Sequence, residues 1–175
     1  MKKLMFAMAV ACAAVAANAA TVSWSALSGQ LSPDVKTPAS YSVYLVNSAV
    51  SVETALATIM ASGSDGIYGQ IPAANIYAVG TTAFRWNNGT QAITGTWAAD
   101  DVISAYSIVL DDTTPGKAKN YLVTDTKSGT FSSAGSAQLS FGNISAKTWT
   151  AVPEPTSGLL LLLGVAGLAL RRRRA

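Results

Sequence analysis

Polar and apolar residues alternate along Tyr41-Ser-Val-Tyr-Leu-Val-Asn47, and this alternation predicts a strand. Tyr41, Val43 and Leu45 would share one face, with Tyr44 and Val46 on the other. Val52, Leu56, Ile59 and Met60 then recur at helical spacing. They predict a short helix over 52–61 whose single apolar stripe covers a sheet edge or end. Ser51 is placed to cap it, Glu53 falls in the first turn where the helix dipole favours an acid, and Gly63 suits its stop. Beyond Gly66 the pattern turns to short apolar runs punctuated by Gly and Pro, at Ile67-Tyr68 and Ile76–Val79. Thr82–Trp86 and Thr90–Thr94 flank Asn87-Asn88-Gly89 and predict a hairpin, because Asn and Gly tolerate positive φ. Val102–Leu110, the longest run, and Asn120–Asp125 predict a second hairpin across Asp111–Gly116. Gln138–Phe141 and Lys147–Trp149 finish the series, while Thr21–Pro38, sparse in apolar residues, reads as an edge strand and a loop. The expected fold is mainly β: a small antiparallel β-sandwich or barrel-like domain with one short helix.

Two segments do not fit that domain. Met1-Lys2-Lys3 precedes an apolar stretch from Leu4 to about Ala17, and Ala17-Asn18-Ala19 supplies small residues where a signal peptidase reads them. This pattern predicts a secretory signal peptide over 1–19, cut between Ala19 and Ala20. Cys12 lacks a leucine three places upstream, so it reads as part of the apolar stretch rather than as a lipidation site. At the other side, Gly158–Leu170 is an uncharged, mostly apolar run of thirteen residues followed directly by Arg171, Arg172, Arg173 and Arg174. As a helix it would reach about 20 Å, short of the roughly 30 Å bilayer core, although flanking residues and snorkelling arginines extend its reach. A soluble core could not accept the four arginines that abut the run. The expectation is a C-terminal transmembrane helix with the arginines as a cytoplasmic stop.

Setting those segments aside changes the electrostatics. The whole chain is net +3, yet residues 20–151 hold six basic residues against eight acids, a net charge of −2. The basic character belongs to the targeting segments and gives no argument for nucleic acid as a partner. The chain has no histidine, and its one cysteine, Cys12, lies in the signal segment. Disulfides, thiolate chemistry and histidine relays are therefore excluded from the domain.

Between domain and apolar run stands Val152-Pro153-Glu154-Pro155. Each proline lacks an amide hydrogen and drives its predecessor toward extended backbone, leaving one carboxylate displayed between two rings. This motif, the apolar run and the arginine cluster together resemble the PEP-CTERM sorting signal of exported Gram-negative proteins. The resemblance implies an exosortase, a multipass transpeptidase-like membrane enzyme, as the partner that cuts near the triplet. It also implies transient residence in the inner membrane and passage to the cell surface or an extracellular polysaccharide matrix. The catalytic residues would be the partner's. The resulting organisation is a signal peptide over 1–19, one exported domain over 20–151, and a sorting signal over 152–175.

No catalytic constellation, cofactor or metal set emerges for the domain itself. Asp100-Asp101 and Asp111-Asp112 are adjacent pairs whose side chains diverge on a strand, and Asp111-Asp112 reads as turn chemistry. With Asp125 these acids match no calcium-loop spacing. Trp24, Tyr44, Tyr68, Tyr77, Trp86, Trp97, Tyr106 and Trp149 are numerous for so lightly charged a domain. Most suit a core, but an exposed set could stack on sugar rings, and Trp86 at the expected hairpin tip is the first to probe. The reading is a non-enzymatic exported surface or matrix protein. The alternatives are a secreted glycan-active or glycan-binding protein with the same tail, and a permanently anchored inner-membrane protein.

Overall fold

The computed structural model describes residues 20–153. The expected signal peptide, Glu154 and Pro155, the apolar run and the arginines lie outside the described residues. Among the described residues, no helix is long and apolar enough to cross a membrane.

Two sheets face each other. The first is ordered β10 (Ser136–Asn143), β1 (Thr21–Ser28), β5 (Ala83–Asn87) and β4 (Ile76–Val79), with β6 (Gln91–Ala92) also on β1. The second is ordered β11 (Thr150–Ala151), β8 (Asn120–Val123), β7 (Val102–Leu110), β2 (Ser42–Asn47) and β3 (Ile67–Gln70), with β9 (Lys127–Thr130) also on β7. Alternation builds the core between them. Val22, Trp24, Phe84, Trp86, Leu139 and Phe141 from the first sheet meet Tyr41, Val43, Leu45, Ile103, Val109 and Leu122 from the second side. Each such side chain contributes about 1.5–3 kcal/mol when fully buried. The sandwich is therefore as expected, except that β1 and β10 run parallel.

The helix α1 spans Val52–Met60, with the Ser51 hydroxyl accepting from the Thr54 N–H and Glu53 in the first turn. Its stop differs from expectation: Ser62, not Gly63, takes the left-handed conformation at φ 57°. Its stripe covers a face rather than an edge. Ala55, Leu56 and Ile59 pack on Tyr44, Val46, Tyr106, Ile108 and Leu110, the outward residues of β2 and β7. The second sheet is thus packed on both faces, whereas among the described residues no helix covers the outer face of the first sheet.

Two further expectations are corrected. β1 is central rather than an edge, because Val22, Trp24, Ala26 and Ser28 alternate inward and β1 is paired on both sides. Nor does Asn87-Asn88-Gly89 close a hairpin. β5 and β6 lie in succession along the same side of β1: Asn87 pairs with Ser25 and Gln91 with Val22. The chain advances four residues there while β1 advances three, so the segment is a one-residue bulge. Asn88 is buried in it, its N–H donating to the Trp24 carbonyl. Asn and Gly suit a bulge as well as a turn, and β1 offered a backbone edge long enough for both segments. The actual hairpin joins β4 to β5, with Val79 opposite Ala83 and Gly80 at φ 72°. The β7–β8 hairpin forms as expected, and β9 continues β8 along β7 past a similar bulge at Thr124. There the Thr124 hydroxyl accepts from the Ser107 N–H at 2.8 Å.

The chain passes from one sheet to the other between β9 and β10, and a glycine permits the approach. A Cβ on Gly129 would lie 2.6 Å from the Gln138 carbonyl oxygen, which is backbone and cannot rotate away. Gly129→Ala is expected to cost about 1–3 kcal/mol, read as a lower denaturation midpoint; an unchanged midpoint would show that the crossing is loose.

Candidate functional site

The described part of the sorting motif is Val152 and Pro153, and the fold holds its start firmly. Thr150 pairs with Tyr121 and Ala151 with Asn120, so β11 seals the β8 edge. The Val152 N–H then donates to the Lys119 carbonyl at 2.8 Å. Pro153 has no N–H to continue the ladder and is exposed. Strand pairing therefore stops where the prolines begin. Upstream, Trp149 lies 5.7 Å from the Tyr41 ring, Lys147 pairs with Asp125, and buried Ile144 donates its N–H to Leu27. The strand expected at Lys147–Trp149 is displaced to Thr150–Ala151, because Trp149 is taken up by packing.

A carboxylate supports this edge from inside. Asp111 is fully buried. It accepts from the N–H groups of Lys119 (2.8 Å) and Asn120 (3.1 Å), from Asn120 Nδ2 (2.9 Å) and from the Ser32 hydroxyl (3.2 Å). Burial raises the Asp111 carboxyl, but the Asn120 and Lys119 hydrogen bonds together with the Lys36 charge outweigh it and hold the group below the usual carboxylate range. The same two residues thus turn their N–H groups to Asp111, while Lys119 and Asn120 receive Val152 and Ala151 through the strand ladder. Asp112, next in sequence, diverges toward solvent: its carboxylate accepts from the Thr114 N–H and pairs with Lys36 at 3.2 Å. The turn reading of the pair holds.

The other expected residues are dispersed. Ala20 is buried at the head of β1, its carbonyl accepting from the Ile93 N–H at 3.0 Å; Ala17 and Ala19 lie outside the described residues. Asp101 accepts from the Ala98 N–H and Asp125 pairs with Lys147, so neither joins the Asp111 network. Among the described residues no group of three potential metal ligands is gathered. Trp86 is 1% exposed and stacks at 6.0 Å on Phe84, so it cannot meet a sugar. Sequence reasoning missed the β11–β8–Asp111 arrangement, for which a two-residue strand leaves almost no periodic signal.

The molecule is thus a two-sheet sandwich whose last strand holds a proline-interrupted joint at the domain edge. Residues 151–174 match the PEP-CTERM protein-sorting motif. The match begins at Ala151, inside β11, one residue before the boundary expected from sequence. The motif implies an exported protein that undergoes membrane-associated, exosortase-dependent sorting. The domain has no recognised family, and no curated protein or solved structure matches the chain.

Proposed function

We propose that this protein is a non-enzymatic cell-surface or matrix component, delivered by a signal peptide over 1–19 and released from the inner membrane by cleavage near Pro153-Glu154-Pro155. The observation that carries the reading is the abrupt end of pairing at Val152. A protease cleft needs several residues of extended, unpaired chain, and the two prolines supply a segment that no strand can recapture. β11 and the Val152 hydrogen bond keep the domain closed up to that point, so the cut removes the tail without opening the core.

In this reading the short apolar run parks the triplet at the outer membrane surface while the arginines remain on anionic headgroups inside, each charge worth on the order of 1 kcal/mol. Mass spectrometry of the C-terminus of the mature protein tests it. A terminus within a few residues of Pro153-Glu154-Pro155 is expected. A mature chain ending at Ala175 would favour the permanently anchored alternative and overturn processing.

A further inference from the structure

Among the described residues the outer face of the first sheet is uncovered, and it carries a line of side chains that the core does not use. Cross-strand register places Asn143 beside Leu27, Leu27 beside Arg85 and Arg85 beside Tyr77, a row across four strands. A shorter row beside it joins Ser140, Ser25 and Asn87. Together they line an open groove of about 620 Å³. The sheet is bent at its β10 side by a bulge: β10 advances three residues, Ser140 to Asn143, while β1 advances two, and Gly142 sits at φ 63°.

The chemistry of the groove is uneven in a way that names a ligand. Leu27, Tyr77 and Val79 are three of the five large apolar residues left exposed among the described residues, and they converge here. The Arg85 guanidinium lies 5.3 Å from the Tyr77 ring centroid. Arg85 is the only charged residue lining the groove and has no ion-pair partner among the described residues, in a domain that is otherwise net acidic. The remainder are hydroxyls and amides, and the Asn143 amide is fixed by the Ser145 N–H donating to its Oδ1 at 2.9 Å.

We propose that this groove binds an acidic sugar chain, with uronic-acid residues as the class. The exposed face of Tyr77 takes the C–H face of a pyranose ring, Leu27 extends that apolar floor, and Arg85 forks the carboxylate. Ser25, Asn87 and Asn143 meet the ring hydroxyls. A neutral sugar would leave the guanidinium unpaired, and a simple carboxylate would leave the apolar floor wet, so the arrangement selects the combination. The site does not depend on cleavage of the tail, and its test is separate from the processing experiment.

The test is calorimetric titration of the full chain, purified in detergent, with hexagalacturonate and with cellohexaose as the neutral comparison. Hexagalacturonate is expected to bind at least about tenfold more tightly, with affinity falling as salt rises. Arg85→Gln and Tyr77→Ala are each expected to weaken it by about tenfold, with the melting temperature unchanged. Should Arg85→Gln lower the melting temperature, Arg85→Lys keeps the charge but removes the fork, and weaker binding than wild type is again expected. Absence of hexagalacturonate binding, equal affinity for both sugars, or wild-type affinity in the Arg85 and Tyr77 variants would overturn the proposal.

Discussion

Replacement of Pro153-Glu154-Pro155 by three alanines is expected to leave the protein at its uncut size and in the membrane fraction. Two physical changes combine. Alanine restores an amide hydrogen at both proline positions and is the strongest helix former, so the joint could turn helical or lengthen β11. The carboxylate between the rings is also lost. The domain should be unaffected, since β11 and the Val152 hydrogen bond lie upstream of the change. Glu154→Gln separates the two causes: it retains the extended backbone and removes only the charge. A blot showing the triple variant shortened and released like wild type would mean that the joint is not what the sorting enzyme reads.

Asp111→Ala is expected to destabilise the domain by about 3 kcal/mol, since it leaves the part-buried donors on Lys119 and Asn120 and the buried Ser32 hydroxyl without an acceptor. The effect should extend to the chain's exit. Lys119 and Asn120 form the edge that receives Val152 and Ala151, so β11 amides should exchange with deuterium faster than in wild type at equal distance from the melting transition. pH provides an independent check. The folded-state pKa of Asp111 is depressed, so its stabilising contribution is complete above the unfolded carboxylate value of about 3.9. It is lost as pH falls through the lower folded value. Asp112, held down by the Thr114 N–H and Lys36, and Asp125, held down by Lys147, add in the same direction. The melting temperature should therefore be nearly level from pH 7 to 5 and fall below pH 4. In Asp111→Asn the fall should be shallower; a slope equal to wild type would assign the acid sensitivity elsewhere.

Much of the domain could be read from local pattern because its alternation is clean where both faces are committed. β2 is the clearest case: Val43 and Leu45, with Tyr41 just before the strand, enter the inter-sheet core while Tyr44 and Val46 meet α1. The Ser51 cap and the β7–β8 hairpin were likewise legible, since their determinants are adjacent in sequence. What escaped depends on partners far along the chain. The rank of β1 within its sheet follows from β10, more than a hundred residues later, and the role of Asn88 follows from the Trp24 carbonyl. Local turn preference could not distinguish a bulge from a hairpin there. The joint was legible as chemistry, through its prolines and arginines, but its fastening to β8 was not, because Thr150 and Ala151 alone carry no periodicity. The groove was missed for a related reason: Tyr77 and Arg85 become neighbours only through the β4–β5 register.

The parallel pairing of β1 with β10 has a consequence for the order of events during export. β10 ends at Asn143, eight positions before Ala151. A polypeptide crossing the membrane from its amino end would deliver Val22 and Trp24 early, yet Ala137, Leu139 and Phe141 would arrive only when nearly all of the body is through. Such distant contacts carry their loop-closure cost before any return. On that order of delivery the sandwich can shut only once β10 has followed β1 across, so compaction waits for almost the whole domain to arrive.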